Sequence, residues 1–241
     1  MKIFLTKSPY LIHLFQIIVL NTCSLVNVIN AKKMTAKAEY ILKIAGEIFA
    51  AQGFRRTTVR EICKRCKVNL AAINYYFGDK EQLYLACLKY YQPLAAQKAS
   101  FYFGVDPDAK PKEKLGTYIQ NFIYRLLEED RQTLFGKLLA HEFFEPTGAL
   151  DTLIEESIKP SFSFLSLLAR EVLGDNCPVK IVELCAMSIV GQCIYFRNAQ
   201  PVIFRLRNKD KYSEEDIREI AEHIINFSLK AMDNYFTEQQ A

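Results

Sequence analysis

The chain is short of the residues that perform chemistry. Its 241 residues include only three histidines, His13, His141 and His223. His141 and Glu142 open the string HEFFE, which is not H-E-x-x-H and offers no third metal ligand, so a zinc hydrolase is not supported. Ser161, Ser163 and Ser166 lack a G-x-S-x-G elbow. There is no glycine-rich phosphate loop, no internal repeat and no alternating apolar and polar strand pattern, and a non-enzymatic, all-α protein is expected. The seven cysteines are odd in number and irregularly spaced, which excludes a disulfide framework and suits a reducing compartment. Cys63 and Cys66 form a lone C-x-x-C with no second pair nearby and read as small apolar residues on a helix. Cys177, Cys185 and Cys193 recur every eight residues and share one helical face.

Long apolar runs are also missing. Leu11 to Leu20 is ten residues with His13 and Gln16 inside it, too short for a membrane span. Lys2 and Lys7 before it imitate a secretory signal, but no small-residue cleavage site follows in NVINAK. The sequence from Met34 makes complete sense alone, which points to Met34 as the functional start and to residues 1–33 as a leader or disordered extension. Membrane tethering by that stretch is the alternative reading.

Charge is divided along the chain. Residues 34–90 hold 10 Lys plus Arg against 5 Asp plus Glu, a net of +5, whereas residues 91–241 hold 17 against 22, a net of −5. A basic front on an acidic back fits a polyanion-binding head on a body that avoids the polyanion, with ordinary scatter of surface charge as the alternative.

That basic front contains the most specific stretch, TTVREICKRCKVNLAAINYYFGDKEQL from Thr57 to Leu83. Before it, Ile41, Leu42, Ala45, Ile48 and Phe49 repeat at three-to-four spacing and Gly53 ends a first helix. Thr58 with Glu61 forms a capping box for a second helix lined by Val59, Ile62, Cys63 and Cys66. Lys67 and Val68 make the turn, and Asn69 caps a third helix running to about Tyr76. Asp79 with Gln82 opens a fourth, from Lys80 to about Ala99. On the third helix Val68, Ala72 and Ile73 supply the core side and leave Leu70, Ala71, Asn74 and Tyr75 facing away. An amide able to read adenine, among small apolar groups suited to thymine methyls, is what major-groove reading requires. Arg55, Arg56, Thr58, Arg60, Lys64, Asn69, Tyr76 and Lys80 complete the candidate DNA-binding set, mostly as phosphate contacts. Phe77 reads as core, and of the two adjacent tyrosines at least one should expose its hydroxyl.

The string GF-x-x-TTV-x-EI at Gly53 to Ile62, the turn at Lys67-Val68 and INYYF-GDKEQL from Ile73 to Leu83 resemble the DNA-binding domain of the TetR/AcrR family of transcriptional regulators, most closely its CecR branch, whose relatives control efflux transporters. Lys67 departs from the family's usual turn glycine and must accept a less comfortable backbone conformation. The resemblance implies a helix-turn-helix domain over 34–90 and a helical effector-binding and dimerisation domain over 91–241. It implies operator DNA, a homodimer and a small hydrophobic effector as partners, no cofactor, and a cytoplasmic repressor of a transport operon. Helix-length apolar patterns over 115–127, 133–144, 150–173, 179–196 and 213–236 agree with such a body, with Ser213 and Asp216 as a further capping box. The last two would suit the family's four-helix dimer interface, or be ordinary core helices. Phe101, Tyr118, Phe122, His141, Phe144, Phe162, Met187 and Tyr195 are the candidates for an apolar effector pocket with polar tips. A helical ligand-binding or membrane-associated protein without DNA binding is the competing class.

Overall fold

The computed structural model describes residues 35–98, 104–127 and 133–238, and the stretch 1–33 and Phe101 lie outside them. Among the described residues there is no strand. The all-α fold expected from the periodicity is the fold observed. Helix α1 spans Ala36–Arg56, α2 Val59–Cys66, α3 Leu70–Phe77, α4 Lys80–Lys98, α5 Pro111–Leu127, α6 Leu134–Phe144 and α7 Leu150–Leu153. A π turn follows at Ile154–Ile158, then α8 Lys159–Leu173, α9 Val179–Asn198, α10 Gln200–Arg207 and α11 Glu214–Glu238. These helices form two compact units.

The first unit gathers α1 to α4 with α6, α7 and the π turn. Its core is the apolar stripe of α1, with Ile41, Ala45, Ile48 and Phe49 sealed against Ile62 of α2, Ile73 of α3 and Leu83, Tyr84, Cys87 and Leu88 of α4. Phe135 and Leu138 of α6 belong to the same core. Phe49 meets Tyr84 edge-on at 4.9 Å, and Phe54 lies 5.2 Å from the same ring. Burying such rings is the main stabilising term, at about 1.5–3 kcal/mol per large side chain. The sequence pattern assigns α6 to the body, from 91 onward; in space it packs with the head.

The second unit holds α5, α8 from Pro160, α9, α10 and α11. Leu115, Ile119 and Ile123 of α5, Phe164, Leu165 and Leu168 of α8, Val182, Ala186, Ile189 and Cys193 of α9, and Ile217, Ile220 and Ile224 of α11 make one continuous core. Lys114, almost fully buried, reaches Glu171 at 3.0 Å and so keeps its charge paired. By length and composition α9 is apolar enough to cross a membrane. Here one side of it is core, while Leu184, Met187 and Tyr195 on the other stand exposed.

The sequence pattern reads 150–173 as one helix, but the π turn interrupts it. Pro160 brings no N–H, so the carbonyl of Glu156 has no partner four residues on. Gln92 Nε2 donates to that oxygen instead, at 3.1 Å. The short helix α10 is a further element that the apolar pattern does not announce.

Chain turns follow the caps. Lys67 takes φ 53°, ψ 43°, the left-handed conformation a family glycine would adopt freely. Ser213 and Asp216 cap α11 reciprocally: the Asp216 amide donates to Ser213 Oγ at 3.1 Å and the Ser213 amide to Asp216 Oδ2 at 2.9 Å. The Lys209 ammonium, ahead of the Ser213 amide and hydroxyl, pulls the Asp216 carboxyl down to about 2.

Two outcomes are expected. Lys67→Gly should raise stability by about 1 kcal/mol, the left-handed penalty less glycine's larger unfolded-state entropy; a lower urea midpoint would contradict this. Because the Asp216 pKa is depressed on folding, its stabilisation is full above the unfolded value of about 3.9 and fades as pH falls toward 2. Urea midpoints of Asp216→Asn should therefore fall below wild type at pH 7 and converge with it at pH 2, and a constant gap across that range would refute the assignment.

Candidate nucleic-acid interface

The site is built on a helix with little to hold it. Of the eight residues of α3 only Ile73 is fully buried, so both ends are fixed by hydrogen bonds. Asn69 Oδ1 accepts from the Ala72 amide at 2.9 Å, as its N-cap position requires. At the other end Gly78, at φ 83°, donates its amide to Asn74 O at 2.9 Å. Asp79 Oδ1 then accepts from Gln82 N at 2.8 Å and starts α4.

The face left over is the one the spacing points to. Leu70, Ala71 and Asn74 are exposed, and Tyr75 is 82% exposed. Tyr75 meets Tyr76 edge-on at 5.0 Å, while the half-buried Tyr76 and Phe77 pack against the head core. One tyrosine is thus free and its neighbour is structural.

Helix α2 begins at a side-chain cap of its own. Thr58 Oγ1 accepts from Glu61 N at 3.2 Å, the first half of the expected capping box. The reciprocal half is not made, because the Glu61 carboxylate accepts from Gln52 Nε2 at 2.7 Å and ties α2 to α1 instead. Buried Thr57 donates through Oγ1 to Gly53 O at 2.7 Å. Arg56, Arg60 and Lys64 are exposed. Arg55, also exposed, lies 3.9 Å from Glu145, a loose surface pair worth little energy. Lys80 is more constrained: its ammonium sits 4.2 Å over the Phe54 ring, and burial lowers its pKa.

Gly53 is where α1 breaks, at φ 80°, ψ 170°, a region that side chains other than hydrogen hardly enter. A Cβ there would meet His141 Nδ1 at 3.0 Å. His141 Nε2 donates to Ala50 O at 3.3 Å, one turn earlier on α1. The next residue, Glu142, is buried and accepts from the Thr147 amide and hydroxyl, both at 3.0 Å. Burial, with Glu142 alongside, pushes the Tyr84 hydroxyl pKa up. The histidine latches α6 to α1 and the glutamate holds the Thr147 turn that follows α6, roles invisible in HEFFE as a string.

The expected effector residues do not gather at one place. Tyr118 is buried, meets Phe122 edge-on and Phe164 at a tilt, and sends its hydroxyl toward Ser161 O at 3.5 Å. Phe122 and Phe162 pack on the same core. His141 and Phe144 lie in the head unit instead, Phe144 largely exposed, while Met187 and Tyr195 stand out from α9. Cys66 is buried and Cys63 half-buried, and burial pushes the Cys66 thiol up to about 11.

A capped two-turn helix projecting one amide and one tyrosine, flanked by basic side chains and a helix N-terminus, defines a helix-turn-helix DNA-binding protein. Residues 41–87 match the bacterial regulatory proteins of the tetR family, and residues 111–232 match the C-terminal domain of the HTH-type transcriptional dual regulator CecR. The CecR protein of Shigella flexneri is 30% identical, over 77% of this chain and 88% of that one. Two solved structures share the fold at lower identity. SCO4454, a TetR-family regulator from Streptomyces coelicolor, superposes with a TM-score of 0.61 at 17% identity, covering 86% of this chain and 95% of its own. AibR, solved in complex with isovaleryl coenzyme A and operator DNA, gives 0.58 at 18% identity, covering 79% and 97%. The chain belongs to the TetR family of transcriptional regulators, with a C-terminal domain of the CecR type.

Gly53→Ala should destabilise the head by about 1–3 kcal/mol, since the new methyl group meets both a forbidden backbone region and the His141 ring. Thermal unfolding checks this, and a melting temperature equal to wild type would contradict it.

Proposed function

We propose that this regulator is a dimeric repressor that leaves a palindromic operator when a small hydrophobic molecule binds its C-terminal domain. The observation that carries the DNA-binding half is the outward face of α3, where Leu70, Ala71, Asn74 and Tyr75 are exposed although Ile73 beside them is sealed. In this reading Asn74 contacts a base edge. Arg55, Arg56, Arg60, Lys64, Tyr76 and Lys80, with the amide end of α2 at Thr58, hold phosphates. Two copies of α3 then enter major grooves about 34 Å apart.

The second copy is supplied through α9 and α11. Leu184, Met187 and Tyr195 on α9 and Phe227 and Tyr235 on α11 are large apolar side chains left in contact with water, a pattern that favours an interface over a plain core. The effector is assigned to the aromatic group Tyr118, Phe122 and Phe162 between α5 and α8, where an aromatic lining and one phenol suit an apolar molecule with a single polar end. Releasing DNA a hundredfold requires about 2.7 kcal/mol of coupling between the two sites. AibR, solved with isovaleryl coenzyme A and operator DNA together, supports a small-molecule ligand for a DNA-binding protein of this fold. Efflux or transport genes are the proposed targets, and the cytoplasm is the place where the protein meets its DNA. The Shigella flexneri relative is described as a dual regulator, so activation at some promoters is compatible with the same contacts.

Mobility-shift titrations on the DNA flanking its own gene test the reading. Asn74→Ala should lose about 1–3 kcal/mol against the specific site and relax base preference. Arg56→Ala should weaken specific and random DNA alike and lower the salt slope by about one. If the wild-type protein shows no binding at low salt, the regulator reading fails. If both variants shift affinity identically on the two DNAs, the division into base and phosphate contacts fails.

A further inference from the structure

The acidic body has one basic place. Arg197, Arg205, Arg207, Lys209 and Lys211 fall within fifteen residues, with Asp210 the one acidic side chain among them. Most of this stretch is α10, a short helix held firmly from below. Ile203 is buried, and Phe204 packs edge-on to Tyr212 at 4.8 Å. The Tyr212 hydroxyl donates to Phe196 O at 2.9 Å, and Asn208, at φ 52°, closes the helix.

The upper face of this anchored helix is bare. Val202 is 55% and Leu206 76% exposed. Arg205 donates back into its own helix, to Pro201 O at 2.6 Å, and neither it nor Arg207 meets a carboxylate among the described residues. An isolated exposed leucine is ordinary. These two side chains are not isolated in register: Leu184, Met187, Gly191, Tyr195, Val202 and Leu206 follow at steps of three, four, four, seven and four, and every one is exposed. The exposed apolar residues of α9 are therefore followed, directly after the break at Ala199, by an exposed apolar pair on α10.

We infer that α10 is a clasp that lies against a second copy of this chain and extends the dimer interface beyond α9 and α11. The inference rests on the dimer reading above. This succession of exposed apolar residues gives the first reason. Charge gives the second: the first turns of α11 expose Glu214, Glu219 and Glu222, beside a Glu215 already paired with Arg218, so a second copy brings acidic side chains that suit Arg205 and Arg207. An anionic lipid surface or DNA fits less well, because the remainder of the body is acidic and would be repelled.

Dimer dissociation constants of the full chain, measured by sedimentation at several salt concentrations, test the clasp. The Val202→Glu/Leu206→Glu variant should raise the constant at least tenfold with an unchanged far-ultraviolet spectrum. Arg205→Glu/Arg207→Glu should raise it less, with a flatter or reversed salt dependence. Met187→Glu/Phe227→Glu serves as the control for the α9 and α11 interface. If that control dissociates while both α10 variants keep the wild-type constant, the clasp is overturned and the dimer reading stands. A monomeric wild-type protein overturns both. Binding to anionic phospholipid vesicles that Leu206→Glu abolishes, with the dimer constant unmoved, would give the face to a lipid surface and overturn the clasp.

Discussion

An eight-residue helix is not stable in water by itself, and α3 buries little to compensate, since Ile73 is the one of its eight residues that is fully buried. Nearly every feature of the head answers that constraint. Ile73 is the single fully buried anchor, Asn69 and Gly78 satisfy the ends, and α2 and α4 are each started by their own side-chain cap. The left-handed Lys67 sets where α3 begins relative to α2. Even the aromatic pair divides along this line, Tyr76 packing inward against the core and Tyr75 standing exposed.

How much of this is legible in the sequence follows from where the information lies. Caps are local, so Thr58, Asn69, Asp79 and Ser213 can be read from pairs of residues three apart, and each holds its expected place. The strain at Lys67 is legible for the same reason, since one residue type stands where a conformation demands another. Glu61 shows the limit: its motif predicts a bond to the Thr58 amide, and a glutamine from α1, nine residues upstream, takes the carboxylate first. Pro160 is in plain view, but reading a π turn from it requires knowing that Gln92 stands ready to donate to the orphaned carbonyl. His141 falls among effector candidates by its aromatic neighbours, and only packing reveals that its ring meets Ala50 and Gly53. The exposed face of α3 needs no such distant knowledge. Its fidelity to the periodicity of α3 comes from Ile73, whose burial fixes the rotation of the helix.

The same contrast separates the two units. The head is specified by short motifs, and it is matched by a short, recognisable segment of 47 residues, 41–87. The second unit is specified by apolar periodicity spread over 111–232, where many side-chain sets give the same helices. Periodicity announces that a helix has an apolar face and is silent on what covers it. Hence α9 reads equally as core or interface until the structure shows Val182, Ala186, Ile189 and Cys193 inside and Leu184, Met187 and Tyr195 outside.

The inclusion of α6 in the head core has a consequence for how such proteins can be recombined. Phe135 and Leu138 close over Tyr84 and its neighbours, so the DNA-binding unit is not one uninterrupted piece of the gene. A chimera made by a single crossover after residue 98 would transplant Tyr84 and Leu88 while leaving their cover behind, and would pair them with another protein's α6. A head that keeps its own core is therefore a two-segment graft, 35–98 together with 133–159, in which the latch at Gly53 travels with both of its partners.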